Sequence, residues 1–234
     1  MKILIIIPAY NEEGSIKRVV DNLEQNFPQY DYVVINDGSK DNTSKICHEN
    51  GFNIIDLPTN LGLAGGFQTG MKYAMENDYD CAVQFDGDGQ HRPEFIEPMV
   101  AKMQEGFDIV IASRFVTQKK PKTARMMGSN MISAAIKLTN HIKINDPTSG
   151  MRMFNKKLIR ECALNDDFGP EPDTVSYMIR QGAKVAEVQA TMDDRTEGES
   201  YLNFSTSTKY MLRMMISILL IQPFRKATKV FNEE

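Results

Sequence analysis

Cys81-Ala82-Val83-Gln84-Phe85-Asp86-Gly87-Asp88-Gly89-Gln90 is a strand-length apolar run that ends in two carboxylates separated by glycine. Ligands of α/β proteins collect where the strands of a parallel sheet end, so two hard oxygen donors there can share a divalent cation. The cation can in turn hold a diphosphate. Asp-Gly pairs also form ordinary polar turns, so the reading depends on the sequence to either side.

Upstream, strand and helix patterns alternate. Ile3–Ile7 reads as a buried strand entering the loop Pro8-Ala9-Tyr10-Asn11-Glu12-Glu13-Gly14, and Ile16, Val19, Val20 and Leu23 recur at helical spacing. Tyr32–Ile35 predicts a second strand running into the turn Asn36-Asp37-Gly38-Ser39. Asp41-Asn42-Thr43 offers N-cap chemistry for a helix through Cys47. A short strand at Phe52–Ile55, a glycine-rich loop from Asn60 to Gly66 and a helix over Phe67–Glu76 lead into the Cys81–Phe85 strand.

Downstream, the pattern predicts a helix over Phe95–Gln104, a strand over Asp108–Ala112, and a basic loop with Arg114, Lys119, Lys120, Lys122 and Arg125. A helix to about Leu138 follows. Asp146–Phe154 reads as a loop entering a strand, followed by a helix near Asp173–Gln181 and a strand over Val185–Val188. This alternation predicts an α/β fold with a Rossmann-like, mostly parallel central sheet flanked by helices. There is no internal repeat and no low-complexity linker. Residues 1–112 read as a nucleotide-binding half and 113–200 as an acceptor half of one folded unit.

The 234 residues are 41% hydrophobic and 25% charged, enough for one large domain, and the net charge of −4 argues against a nucleic-acid partner held by bulk charge. Cys47, Cys81 and Cys162 have no metal-ligand spacing and fit a reduced cytosolic setting. Ile3–Ile7 is too short for a secretory signal core, and no run approaches the about 20 apolar residues of a spanning helix. Residues 201–234 differ from the rest. Tyr201 to Val230 holds five basic residues (Lys209, Arg213, Arg225, Lys226, Lys229) and no acidic one. Met211, Leu212, Met214, Met215, Ile216, Ile218, Leu219 and Leu220 surround much of a helix there. The expectation is an amphipathic basic tail lying on an anionic membrane, with packing on the domain or on a partner as the other reading.

Seven pieces of the chain, in order, resemble the family 2 glycosyltransferases of GT-A fold. They are Pro8–Glu12, Asn36–Thr43, Asn60-Leu61-Gly62, Asp86–Gln90, Ser113-Arg114-Phe115, Asp146–Arg152 and Arg195–Ser200. The likeness is nearest to the polyprenyl-phosphate, dolichol-phosphate mannosyltransferase-like branch. It implies that Pro8, Tyr10 and Glu12 line the base and ribose and that Asp37 accepts a hydrogen bond from the base. Asp86 and Asp88 would hold Mg²⁺ or Mn²⁺ against the nucleotide-sugar diphosphate, with Gln90 in the same shell. Arg114 and Arg125 would clasp the acceptor phosphate, joined by Ser149 and Arg152, since planar guanidinium groups suit phosphate.

Asp88, Arg114 and Asp146 form the expected catalytic set, Asp146 being the residue usually nominated as base in that branch. A phosphate monoester with a second pKa of about 6 is already largely ionised at neutral pH. Asp146 is therefore expected to orient the acceptor or to hold Arg152 or another cation. Asn36 departs from the aspartate the family usually carries there. Glu171 and Asp173 fall near its acidic acceptor-side position. His91 is a possible ligand but has no second histidine nearby, His48 and His141 have no recognisable partners, and all three read as surface residues.

The resemblance implies inverting, metal-dependent transfer of a sugar to polyprenyl (undecaprenyl) phosphate for cell-envelope glycan synthesis. UDP-glucose or UDP-N-acetylglucosamine is favoured over GDP-mannose as donor. The expected place is peripheral, on the cytoplasmic membrane face, with a small membrane-protein partner or a second copy. One rival keeps the fold but takes a soluble, polysaccharide or protein acceptor. A nucleotidyltransferase would need a glycine-rich basic loop where Asn11-Glu12-Glu13 stands. A non-catalytic nucleotide-binding module is disfavoured by the intact Asp86, Asp88 and Arg114.

Overall fold

The computed structural model describes residues 1–193 and 204–225, with Arg125 and residues 204–208 described through their backbone. Seven strands form one sheet: β1 (Ile3–Ala9), β2 (Asp31–Asn36), β3 (Ile54–Asp56), β4 (Cys81–Gln84), β5 (Ile109–Ser113), β6 (Arg152–Asn155) and β7 (Val185–Gln189). Their order is β3-β2-β1-β4-β6-β5-β7, and all neighbouring pairs are parallel except those made by β6. Leu4 to Ile7 are fully buried, as a central parallel strand covered on both faces requires. Burying each such side chain contributes about 1.5–3 kcal/mol.

Helices cover both faces. One face is closed by α1 (Ile16–Asn26), α2 (Thr43–Glu49) and α4 (Ile96–Gln104). The other is closed by α3 (Gly62–Glu76), α5 (Ala124–Asn140), α6 (Lys156–Leu164), α7 (Pro172–Arg180) and α8 (Phe204–Ile216). The chain continues from α8 as a π-helical turn over Ser217–Ile221 and a 3₁₀ turn over Gln222–Phe224.

Two elements differ from the sequence reading. Residues 62–66 are not loop but the first turns of α3. Two glycines of the helix bring it close to β1: a Cβ on Gly66 would lie 3.5 Å from Pro8 Cβ, and one on Gly70 would collide with Ile6. Helix α6 has no counterpart in the sequence reading. Asn155 caps it, its Oδ1 accepting the Leu158 N–H at 3.0 Å, and Leu158, Ile159, Cys162 and Ala163 are buried.

The tail helix is packed on the domain along one face. Met214 and Ile218 are fully buried, and a Cβ on Gly128 of α5 would lie 2.9 Å from Met211 Sδ. Ser217 Oγ donates to Asp173 Oδ2 at 2.7 Å, and Gln222 Nε2 donates to the Asp173 carbonyl at 2.7 Å. Arg225 lies over the rings of Phe168 and Tyr177 and donates to Asp167. The opposite face leaves Leu212, Ile216, Leu220, Ile221 and Phe224 exposed. Among the described residues no helix is long and apolar enough to cross a membrane. The Arg195–Ser200 motif, Tyr201, Lys226 and Lys229 lie outside the described residues, as does the 200/201 boundary of the expected tail.

Candidate active site

Parallel pairing brings the carboxyl ends of β1 and β2 together, with Ala9 opposite Asn36. The two loops that leave them are stitched side chain to backbone. Ser39 Oγ accepts the Asn11 N–H at 3.0 Å, Asn11 Oδ1 accepts the Lys40 N–H at 2.8 Å, and Thr43 Oγ1 accepts the Glu12 N–H at 2.8 Å. Asn11 has φ 56°, a conformation asparagine tolerates better than most residues. Ser15 Oγ donates to Glu12 Oε2 at 2.8 Å.

Asp37 is buried, and its Oδ1 accepts the Leu61 N–H at 2.6 Å just ahead of α3. Gly38, at φ 65°, lies so close to the backbone of Thr59 and Asn60 that a side chain would collide there. Asn36 faces inward instead, donating to Asp56 Oδ1 at 2.6 Å and accepting the Ser39 N–H at 3.2 Å. His48 is not without a partner: its Nε2 lies 2.6 Å from Asp56 Oδ2. Burial works against the charge on Asp56, but hydrogen bonds from Asn36, His48 and Ser44 hold its carboxyl below the usual range.

Beside these loops, β4 delivers Asp86 and Asp88. A Cβ on Gly87 would lie 3.2 Å from the Pro8 carbonyl oxygen, so the carboxylate turn rests on the first nucleotide loop. Asp88 is buried, and its Oδ1 accepts the Gln90 N–H at 3.0 Å. His91 is buried against Phe85, which corrects its reading as a surface residue. Its Nδ1 accepts the Asp86 N–H at 2.9 Å, and its Nε2 lies 3.5 Å from Asp86 Oδ2. The ring therefore braces Asp86. Gln90 turns toward the chain after β7, donating to the Asp193 carbonyl at 3.2 Å, while Arg92 Nε donates to both Asp193 carboxylate oxygens at 2.9 Å.

Among the described residues no group of three or more His, Cys, Asp and Glu side chains surrounds a common point. Two carboxylates suit Mg²⁺ or Mn²⁺, which complete their shells with phosphate and water. Gly150 adds room beside them, since a Cβ there would sit 2.8 Å from Asp86 Oδ2.

The acceptor half converges on the same place. Arg114 follows β5 directly and forms a two-pronged pair with Asp146: Nε to Oδ2 at 2.7 Å and Nη2 to Oδ1 at 2.9 Å. The Arg114 N–H adds a bond to Oδ2 at 3.2 Å, and Thr148 Oγ1 lies 3.3 Å from Oδ1. Asp146 is fully buried. Burial opposes its charge, but the hydrogen bonds and charge of Arg114 outweigh that and hold the carboxyl below the usual aspartate range.

Lys120, read from sequence as part of a basic loop, is half-buried and donates to Ser129 Oγ of α5 at 3.0 Å. Burial lowers its pKa, against the pull of Asp146 and Glu187. Arg114 and Lys120 both flank the Phe115 ring, at 5.2 and 5.6 Å from its centroid.

Two other expected phosphate ligands are placed differently. Ser149 is buried and donates to the Ala112 carbonyl at 2.6 Å. Arg152 is buried and donates to the carbonyls of Pro147, at 2.7 Å, and Pro170; its Nε has no partner among the described residues. Burial pushes the Arg152 pKa down. Burial, then the charge of Asp173, raises that of Glu171. The Arg125 side chain lies outside the described residues.

The family model for glycosyl transferase family 2 matches residues 4–163. Over 215 residues the chain is 29% identical to the undecaprenyl-phosphate mannosyltransferase of Micrococcus luteus, covering 87% of this chain and 88% of that protein. It is 35% identical over 179 residues to the UDP-N-acetylglucosamine–dolichyl-phosphate N-acetylglucosaminyltransferase of Methanococcus voltae, covering 68% and 71% of the two chains. A similar solved structure is glucosyl-3-phosphoglycerate synthase from Mycobacterium tuberculosis with Mn²⁺, UDP and phosphoglyceric acid. Its TM-score is 0.64 at 20% identity, over 94% of this chain and 78% of that one.

Proposed function

This chain belongs to glycosyl transferase family 2 and is a glycosyltransferase of GT-A fold, and from that premise we propose that it transfers a sugar from a nucleotide diphosphate donor to a polyprenyl phosphate. The observation that carries the reading is the two-pronged Arg114–Asp146 pair, in the loop whose Gly150 lies against Asp86. A guanidinium whose orientation is fixed by a buried carboxylate is prepared to receive a phosphate monoester, and Lys120 supplies a second positive charge beside it. Both the Micrococcus luteus and the Methanococcus voltae relatives carry a polyprenyl or dolichyl phosphate in their names.

Transfer is a single displacement with inversion: a phosphate oxygen attacks the anomeric carbon and the nucleoside diphosphate departs from the opposite side. Asp86 and Asp88 would hold Mg²⁺ or Mn²⁺, which when bound neutralises charge on the departing diphosphate. Pro8, Tyr10, Glu12 and Asp37 bind the nucleoside, and Gln90 fastens the carboxylate turn to residue 193. Arg114 and Lys120 orient the acceptor, whereas Ser149 and Arg152 brace the loop that holds Asp146. Asp146 takes no proton, because its oxygens are occupied and the attacking phosphate is already ionised.

The lipid acceptor requires a membrane surface, and a two-helix face fits one. Met127, Met131 and Leu138 of α5 and Leu212, Ile216 and Leu220 of the tail are exposed at spacings that keep each set on one side of its helix. Residues 115–145 carry Lys119, Lys120, Lys122, Arg125, Lys137 and Lys143 and no acidic residue, in a protein of net charge −4. Apolar stripes bordered by cations favour peripheral docking on an anionic, cytoplasmic leaflet.

The test is labelled-sugar transfer to undecaprenyl phosphate in vesicles, with Mg²⁺ or Mn²⁺. Donors are UDP-glucose, UDP-N-acetylglucosamine, UDP-galactose and GDP-mannose, and 3-phosphoglycerate serves as a soluble phosphate acceptor. A metal-dependent, organic-extractable product that disappears in Asp88→Asn supports the reading and identifies the donor. Product formed only on the soluble acceptor overturns it.

A further inference from the structure

Strand β7 carries Glu187 and Gln189, two residues apart and so directed to one side of the strand. Glu187 receives three hydrogen bonds from the loop that ends in Asp146. The Asn145 N–H and Nδ2 each donate to Oε2 at 2.8 Å, and the Asp146 N–H donates to Oε1 at 2.8 Å. Gln189 holds the opposite loop: its Nε2 donates to the Arg114 carbonyl at 3.0 Å, and its Oε1 accepts from the Thr117 N–H at 2.8 Å and Oγ1 at 3.0 Å. Both partners of the Arg114–Asp146 pair are therefore gripped at their own backbones by one edge strand. That strand is in register with β5, Glu187 opposite Ile111 and Gln189 opposite Ser113.

An arginine fork is useful only at a fixed angle, and two loops held solely by the fork would pivot about it. We infer that Glu187 and Gln189 are positioning residues: they set the separation and tilt of the loops bearing Asp146 and Arg114, and through Arg114 the placement of the acceptor phosphate. Glu187 bears most of this, because a carboxylate accepting three N–H bonds is held more strongly than a neutral amide. The inference goes beyond the proposed acceptor and borrows it for one arm of its test.

Glu187→Gln keeps the shape but removes the charge and turns an NH₂ donor toward N–H groups. In that variant kcat/KM for undecaprenyl phosphate falls about tenfold, while the dissociation constant of the nucleotide stays near wild type and the Tm falls by a few degrees as the N–H groups lose their carboxylate. Glu187→Asp, which keeps the charge, recovers part of the loss. Combined with Arg114→Lys, Glu187→Gln costs nothing further, since the group it positions is gone.

The second arm needs no acceptor. The Arg114 Nε–H resonance, assigned by its loss in Arg114→Lys, shifts or broadens in Glu187→Gln as the fork loosens. An unchanged resonance, losses that simply add, or an equal loss of nucleotide affinity would overturn the inference. If the wild-type enzyme ignores undecaprenyl phosphate, the acceptor reading falls and the resonance alone decides the role of Glu187.

Discussion

In this geometry Asp146 fixes a guanidinium. Its folded pKa lies below the ordinary aspartate value, so the stability it adds is fully present above about pH 4 and is lost as pH falls through the lower folded value. Nothing of Asp146 titrates near neutrality. With the proposed acceptor, the acid limb of kcat/KM is expected to follow the lipid phosphate, whose second pKa is about 6. Asp146→Asn is expected to lower kcat/KM about a hundredfold by releasing Arg114 without moving that limb. A pH–rate profile whose acid limb shifts or disappears in Asp146→Asn would give the residue a proton-transfer role.

Gly150 belongs to the same scale. In Gly150→Ala the new methyl meets Asp86 Oδ2, so the Mg²⁺ concentration giving half-maximal rate should rise about tenfold. An unchanged metal titration would remove Asp86 from the metal site. Asp86, Asp88, Arg114 and Asp146 were legible as residue types in sequence. The pairing of Asp146 with Arg114, and the burial of Arg152, were not. They depend on β6 entering antiparallel between β4 and β5, which no local pattern announces.

At the scale of elements, α5 and the tail (α8 with the π-helical turn after it) present two opposite faces. Ile132, Ile136, Met214 and Ile218 close the core, while Met127, Met131, Leu212 and Leu220 remain outside. The double variant Met131→Glu with Leu220→Glu should abolish co-flotation with anionic vesicles and leave nucleotide affinity and Tm near wild type. Retained flotation would remove this face from membrane docking.

The sequence signal for the tail was its apolar girth, which left both packing and lipid open because a helix surrounded by apolar residues can face either. Helix α3 was misjudged at its start because Gly62, Gly65 and Gly66 suit a loop as well as a helix pressed against β1. Helix α6 was legible in principle, from the cap Asn155 and the spacing of Leu158, Ile159, Cys162 and Ala163. Strand β7 was expected over Val185–Val188, one residue short of Gln189, and the alternation of Glu187 and Gln189 was its unread signal.

Across the whole molecule, one sheet aligns three tasks along its carboxyl edge. The loops after β1 and β2 are locked together at the proposed nucleoside site, the turn after β4 offers paired carboxylates, and the loops after β5 and before β6 present the fixed arginine. The acid-free segment 115–145 and the tail carry positive charge and exposed apolar side chains, and on the proposed reading a phosphate entering from a leaflet meets Arg114 and Lys120. The central claim is that this phosphate oxygen displaces the nucleoside diphosphate directly. The measurement that tests it most directly is the ¹H and ³¹P NMR spectrum of the purified lipid product. A sugar–phosphodiester of anomeric configuration opposite to that of the donor is predicted. A product that keeps the donor's configuration, or a sugar linked anywhere but to the lipid phosphate, would contradict it.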